Sequence, residues 1–162
     1  MTTGQAQNTN DHHEIKTFDL RICGRVDTPL KIDIDTLKSM DIIEAEDLRL
    51  ICGSGEPRGR ITHCRGVLLS DIINKANVVV TDHNDTKKMY IIAASDDGYK
   101  AVFSWQEVFN SPVGDGVMVV LEKDGKQLYD EYGSVDLLSS RDNLTGPRYV
   151  RQLGTIEIVM VN

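Results

Sequence analysis

The residue with the clearest chemical potential is Cys52, which follows the apolar run 48–51 and begins a glycine-rich loop, Cys52-Gly53-Ser54-Gly55. A thiolate is both a nucleophile and a soft metal ligand, and it needs an electropositive, partly open setting. Arg58, Arg60 and Arg65 supply positive charge after the cysteine, with three arginines in the eight positions 58–65. The pattern is compatible with a functional thiol, but a small buried cysteine at a strand end is the commoner fate of a free cysteine, so this segment alone favours the structural role.

Composition limits the kinds of partner. The chain has 162 residues, 18 Lys and Arg against 25 Asp and Glu, and a net charge of -7. Nucleic acid is excluded, since its binding depends on many Lys and Arg contacts to phosphate. No apolar stretch reaches the roughly 18 residues of a membrane span, and three cysteines make no disulfide framework. We therefore expect a single globular domain, in which any anion would have to be bound by a local group of basic residues.

Hydrophobic periodicity predicts more strands than helices. Alternation of apolar and polar residues, or short apolar runs between turn residues, predicts seven strands, at residues 18–26, 30–34, 89–94, 99–103, 117–122, 135–139 and 156–161. Short, unevenly placed helices with many strands indicate an α+β domain rather than a regular βαβ alternation. We assign residues 15–162 to one such domain and predict a disordered arm at residues 1–14, which are small and polar.

Three helices are predicted by capping residues and helical spacing. Asp35 is the expected cap of a helix ending near residue 40, and residues 68–76 repeat apolar side chains at helical spacing. Ser104 and Glu107 have the spacing of a capping box before a third short helix.

Three segments, in this order and spacing, resemble a known family. They are LICG at 50–53 with GVLLSDII at 66–73, SDDGYKA at 95–101, and TGPRYVRQL at 145–153. Together they resemble the oxidoreductase molybdopterin-binding domain of the sulfite oxidase family, and in particular its short stand-alone members. The resemblance covers residues 18–161 and implies mixed, mainly antiparallel β-sheets with a few short helices.

The resemblance also implies a site. Cys52 would bind the molybdenum of a molybdenum-molybdopterin cofactor, Tyr99 would point at the metal centre, and Asp97 would lie at the substrate face. The residues predicted to contact the cofactor are Gly53, Arg58, Arg60, Ser95, Gly98, Gly146 and Arg148. Thiolate is a soft donor, a phenol donates a hydrogen bond, and guanidinium pairs with phosphate. The implied activity is two-electron oxygen-atom transfer on a small anionic substrate, with a possible electron-transfer partner protein.

Two alternatives stay open. Tyr132 and Asp136 lie where family members carry basic residues, and a carboxylate there would repel a phosphate. The domain would then be a non-catalytic module that binds a pterin or anion, or an accessory redox partner that has lost the cofactor. A transition-metal site from Cys52, His63 and Cys64 has ligands of the right type, but neighbours on one strand point apart.

Two smaller expectations complete the sequence interpretation. Acidic residues before a glycine commonly form turns, so Asp97 has a structural explanation as well as a catalytic one. For the compartment, short family members favour a periplasmic or exported protein after processing over a cytoplasmic one.

Overall fold

The computed structural model describes residues 18–162. Its strands, in chain order, are β1 (Asp19–Gly24), β2 (Leu30–Asp33), β3 (Ile43–Ile51), β4 (Pro57–Leu68), β5 (Met89–Ser95), β6 (Lys100–Ser104), β7 (Val117–Lys123), β8 (Lys126–Gln127), β9 (Asp136–Ser139) and β10 (Leu153–Met160). Its α-helices are α1 (Ile34–Ser39), α2 (Leu69–Lys75), α3 (Trp105–Phe109) and α4 (Leu128–Tyr132), with 3-10 turns at Asp85–Lys88 and Pro112–Gly116. The arm predicted at residues 1–14 lies outside the described residues.

The strands form two five-stranded sheets. The first has the order β2-β1-β10-β5-β6, and the second has β3-β4-β7-β8 with β9 also paired to β7. Among the described strands, β1 and β10 pair in parallel and the remaining pairs are antiparallel. The predicted α+β class with mixed, mainly antiparallel sheets is confirmed.

The hydrophobic core has two parts. The larger one takes buried side chains from both sheets and from α2, among them Leu20, Phe103 and Ile156. The smaller one consists of Ile61, Cys64, Met118, Val120, Leu128 and Leu138. Leu50 and Tyr149 pack against this smaller cluster. Ile43, Ala45 and Leu48 also pack against it, so this cluster supports β3 along most of its length.

Local structure corrects the sequence interpretation at two points. The cap of α1 is Asp33 and not Asp35, because Asp33 Oδ1 accepts a hydrogen bond from the Thr36 N–H at 2.8 Å. Residues 128–132, where the sequence analysis predicts no helix, form α4, which ends at Gly133 in the left-handed conformation (φ 68°). The capping box of Ser104 and Glu107 is confirmed at the start of α3.

The longest hairpin of the molecule positions Cys52. β3 and β4 pair in antiparallel register from Ile43 opposite Gly66 to Ile51 opposite Pro57. Only the end of β3 was expected from the sequence, because the outer face of the hairpin is charged and its apolar alternation is weak. In the described part of the chain, no helix has the length and apolarity needed to cross a bilayer.

Candidate functional site

The loop between β3 and β4 holds Cys52 in a fixed position. The Cys52 N–H donates to the carbonyl of Glu56 at 3.0 Å, and the Gly55 N–H donates to the carbonyl of Cys52 at 2.9 Å. These bonds close a tight turn around the cysteine. Its side chain is half-buried, so it meets the requirement of an accessible thiol.

The environment of the thiol favours its ionised form. The Ser54 hydroxyl lies 2.8 Å from Cys52 Sγ. The pKa of Cys52 is lowered to about 7, chiefly by hydrogen bonds from the Ser54 side chain and the Ser54 N–H. The Glu56 N–H and the Arg58 guanidinium make smaller contributions in the same direction. Burial acts in the opposite direction, but its effect is smaller than the sum of these hydrogen bonds. A thiolate is therefore well populated at neutral pH, as a metal ligand must be.

The alkylation of Cys52 by iodoacetamide is expected to have a midpoint near pH 7, because alkylation rate follows the thiolate fraction. Replacing Ser54 by alanine removes the largest cause of the lowered pKa and moves the midpoint toward about 8.5, the usual value for cysteine. The extent of alkylation is measured by peptide mass spectrometry, and Cys23 in the same digest serves as an internal comparison. Burial and Glu157 raise the pKa of Cys23, so its alkylation should require a higher pH. An unchanged midpoint in Ser54→Ala would contradict this explanation.

The segment 145–151 forms the wall opposite the Cys52 loop. Thr145 Oγ1 donates to the carbonyl of Arg49 at 2.7 Å and accepts from the Ile51 N–H at 3.1 Å. The Gly146 N–H donates to the carbonyl of Ile51 at 2.7 Å. A Cβ at Gly146 would lie 2.7 Å from that oxygen and 3.0 Å from the Cα of Cys52, so only glycine permits this approach.

A cavity of about 330 Å³ opens between the loop and this wall. It is lined by Leu50, Cys52, Gly53, Arg58, Tyr99, Gly146, Pro147, Tyr149 and Arg151. The lining combines a thiol, two guanidinium groups, two phenols and apolar surface. Such a mixture suits an organic ligand that carries a metal and a negative charge.

Tyr99 stands at the rim of the cavity. Its hydroxyl donates to the carbonyl of Pro147 at 2.7 Å, and 45% of the residue is exposed. The structure thus brings Tyr99 to the same cavity as Cys52 and Gly146, and its predicted orientation toward a metal centre stays a prediction. The hydrogen bond to Pro147 also ties the strand β6 side of the cavity to segment 145–151.

The turn before Tyr99 gives its residues structural roles. Asp97 accepts hydrogen bonds from the Ser95 hydroxyl and from the Tyr99 N–H at 3.0 Å, and these bonds lower its pKa. Gly98 has a φ of 98°, which glycine adopts without strain. Ser95, Asp97 and Gly98 lie outside the cavity lining. They shape the turn that carries Tyr99, and the roles predicted for them at the cofactor and substrate stay predictions.

Arg148 is engaged by internal partners. Its Nε and Nη2 donate to both oxygens of Asp142 at 2.8 and 2.6 Å, and its Nη1 donates to Glu107 at 3.0 Å. Its guanidinium also lies over the ring of Phe103, 4.2 Å from the centroid. All three nitrogens of the guanidinium thus donate to carboxylates of the protein. Arg148 does not line the cavity. Its predicted contact with a cofactor phosphate stays a prediction that this arrangement does not support.

The two arginines after Cys52 have different positions. Arg58 lines the cavity and lies 3.9 Å from the exposed carboxylate of Glu56. Arg60 is exposed, lies 3.9 Å from Asp47, and is absent from the lining. Of the pair, Arg58 is placed to meet an anion in the cavity.

Sequence reasoning missed four lining residues, namely Leu50, Pro147, Tyr149 and Arg151. All four lie inside the segments that carry the family resemblance. Tyr149 and Arg151 face the cavity from alternate positions, whereas Arg148 faces Asp142. Alternation of side chains along an extended segment was the available signal.

The alternative metal site does not form. Cys64 is fully buried beside the Met118 sulfur at 3.9 Å, and burial raises its pKa to about 11. His63 lies on the other face of β4, 3.6 Å from Glu44. Within residues 18–162, no three His, Cys, Asp or Glu side chains are grouped as a metal would require.

Comparisons with known proteins show the family to which the chain belongs. The family described as the oxidoreductase molybdopterin binding domain matches residues 6–135. The chain belongs to this family, and the sequence resemblance is confirmed. Segment 145–153 lies beyond the matched range, so its place in the site rests on its contacts with the Cys52 loop. No curated protein matches the sequence.

A solved structure supports the fold. The sulfane dehydrogenase SoxCD from Paracoccus pantotrophus is similar with a TM-score of 0.63 and 17% sequence identity. The match covers 87% of this chain and 38% of that chain, so this chain spans less than half the length of its structural neighbour. At this identity, the likeness shows the fold alone.

Proposed function

We infer that the residues around the cavity fit the cofactor that the family implies. Cys52 supplies a thiolate, which is the soft ligand that a molybdenum centre accepts. Gly146 lets segment 145–151 approach the Cys52 loop closely, since a Cβ there would lie 2.7 Å from the Ile51 carbonyl oxygen. Arg58 and Arg151 supply positive charge for an anionic group.

We propose that this domain is a molybdenum-molybdopterin oxidoreductase of the sulfite oxidase type, with Cys52 as the protein ligand of the metal. The observation that carries the proposal is a half-buried thiol of pKa about 7 that faces a 330 Å³ cavity closed by Gly146. When bound, the cofactor supplies two-electron transfer of an oxygen atom between water and a small substrate such as sulfite or a sulfoxide.

The residues of the chain would bind the cofactor, attract the substrate and limit access to the cavity. Cys52 gives up its proton before it binds the metal, which its lowered pKa makes easy at pH 7. Arg58 and Arg151 attract an anionic substrate to the cavity. Tyr99 is held at the rim by Pro147, where its ring limits access and its hydroxyl oxygen can accept a hydrogen bond.

Turnover measurements test this proposal. Protein made in a host that builds the cofactor is expected to oxidise sulfite to sulfate, with water as the oxygen source and two electrons passed to an artificial acceptor, or to reduce a sulfoxide with an artificial donor. Cys52→Ser should lower turnover by more than about a hundredfold, since it removes a metal ligand. Cys23→Ser, at a partly exposed cysteine outside the cavity, should keep it.

The engagement of Arg148 favours a second candidate, a pterin-binding or anion-binding module or accessory redox partner without metal. In that case the protein from the same host lacks both molybdenum and turnover, and Cys52→Ser behaves like the wild type. Both outcomes are read from one set of preparations.

A further inference from the structure

The end of β3 that carries Cys52 is weakly held by its own sheet. Among the described strands, β3 is an edge strand, and it ends at Ile51, one residue before the cysteine. Its register with β4 is irregular between Arg49 and Ile51, so the ladder is interrupted where the Cys52 loop begins. Contacts outside the ladder are therefore needed to fix the position of the cysteine.

The side chain of Thr145 supplies such a contact on the open edge of β3. Its hydroxyl donates to the Arg49 carbonyl at 2.7 Å and accepts from the Ile51 N–H at 3.1 Å. One hydroxyl thus replaces the N–H and the carbonyl that a residue of a neighbouring strand would offer. The next residue adds a third bond, since the Gly146 N–H donates to the Ile51 carbonyl at 2.7 Å.

Thr145 acts on the Cys52 cavity only through the backbone. The residue is 5% exposed, and it is absent from the cavity lining. Because water has little access to this position, loss of the hydroxyl would leave the Arg49 carbonyl and the Ile51 N–H without a hydrogen-bond partner. The end of β3 would then separate from segment 145–151 more easily.

The bonds at Thr145 also set the spacing between the two walls of the cavity. A Cβ at Gly146 would lie 3.0 Å from the Cα of Cys52, so the two backbones are already at the limit of close approach. The same segment carries Pro147 and Tyr149, which line the cavity opposite the thiol. The position of the thiol relative to this wall therefore depends on the three hydrogen bonds that join segment 145–151 to β3.

We propose that Thr145 is a positioning residue for Cys52, whose hydroxyl fixes the end of β3, and with it the thiol, opposite the wall formed by segment 145–151. The inference deepens the proposed function and depends on it only for the identity of the ligand that Cys52 binds. Groups that orient a metal ligand commonly change metal affinity by about tenfold to a hundredfold when they are lost. The hydroxyl carries this role, so valine, which has the same shape, should abolish it and serine should preserve it.

Amide hydrogen exchange in the full chain, made without cofactor, tests the role of the hydroxyl. In Thr145→Val, the Ile51 and Gly146 N–H groups should exchange about tenfold faster or more, while amides of β5 keep their wild-type rates. In Thr145→Ser, all these rates should stay within about threefold of the wild type.

Ser111→Ala is the matched control. The Ser111 hydroxyl also joins two backbone groups, because it donates to the Glu107 carbonyl at 2.8 Å and accepts from the Val113 N–H at 3.2 Å. Ser111 is absent from the lining of the Cys52 cavity. Its loss should therefore leave the exchange of Ile51 and Gly146 unchanged.

A second arm uses protein from a host that builds the cofactor and follows the loss of molybdenum in cofactor-free buffer. Thr145→Val should lose the metal about tenfold to a hundredfold faster than the wild type, whereas Thr145→Ser and Ser111→Ala should lose it at the wild-type rate. Equal molybdenum loss in Thr145→Val and the wild type would overturn the positioning role. So would wild-type exchange at Ile51 in Thr145→Val, or an equal rise in exchange at the amides of β5.

The two arms separate this role from the proposed function. Wild-type protein that holds no molybdenum would contradict the proposed function alone. The exchange rates of the unloaded chain would still decide whether the Thr145 hydroxyl holds the end of β3 in place.

Discussion

Replacing Arg148 by glutamine is expected to lower the free energy of unfolding by about 2–4 kcal/mol, somewhat less than the 3–5 kcal/mol typical when one partner of a fully buried ion pair is removed. The change removes the two hydrogen bonds that Arg148 donates to Asp142 and the ion pair that it forms with Glu107. It also removes the guanidinium from the Phe103 ring. We expect a smaller loss of stability than for a fully buried ion pair because Glu107 is partly exposed to solvent.

Urea unfolding measures this cost, with Arg141→Gln as the matched control. Arg141 is an exposed arginine whose nearest carboxylate, on Asp115, is 3.7 Å away, so its loss should change stability by less than about 0.5 kcal/mol. If Arg148→Gln were as stable as the wild type and instead lost phosphate or pterin binding, Arg148 would be a ligand, as the family resemblance implies.

Replacing Gly146 by alanine is expected to cost about 1–3 kcal/mol of stability and to disrupt the Cys52 site. The added Cβ would meet the Ile51 carbonyl oxygen at 2.7 Å, where the Gly146 N–H now donates its hydrogen bond. The strand end that carries Cys52 must then move away from segment 145–151. Cofactor content after expression in a competent host should fall together with the stability.

Gly53→Ala is the matched control for this substitution. Its Cβ would meet only the Pro147 ring, at 3.7 Å, which is an ordinary van der Waals contact. Its stability should stay within about 0.5 kcal/mol of the wild type. Equal stability of Gly146→Ala and Gly53→Ala would show that the close approach at Gly146 does not matter.

Much of the fold could be predicted from local patterns. Strands such as β5 and β7 are short, apolar and bounded by turn residues, so their sequence alone identifies them. The β3–β4 hairpin was harder, because it carries charged residues on its outer face and its apolar side chains serve the smaller cluster. Helix α4 was missed, although Gly133 just after it is a typical helix-ending residue.

The candidate site was predicted in part from the sequence, and the residues that were missed have a physical explanation. Cys52, Gly53, Arg58, Tyr99 and Gly146 line one cavity. All but Arg58 could be found because they belong to segments with a distinctive sequence, and Arg58 is one of the arginines that follow Cys52. The sequence could not show that Arg151, and not Arg148, lines the cavity. It depends on Asp142 and Glu107, which reach Arg148 only through tertiary packing.

The central claim is that the Cys52 thiolate binds the molybdenum of the cofactor. The most direct test is the fraction of Cys52 alkylated by iodoacetamide at pH 8, read by peptide mass spectrometry in preparations of measured molybdenum content. We expect the protected fraction of Cys52 to equal the fraction of chains that hold molybdenum, while Cys23 reacts equally in all preparations. Full reactivity of Cys52 in molybdenum-loaded protein, or a folded chain that takes up no molybdenum in a competent host, would contradict it.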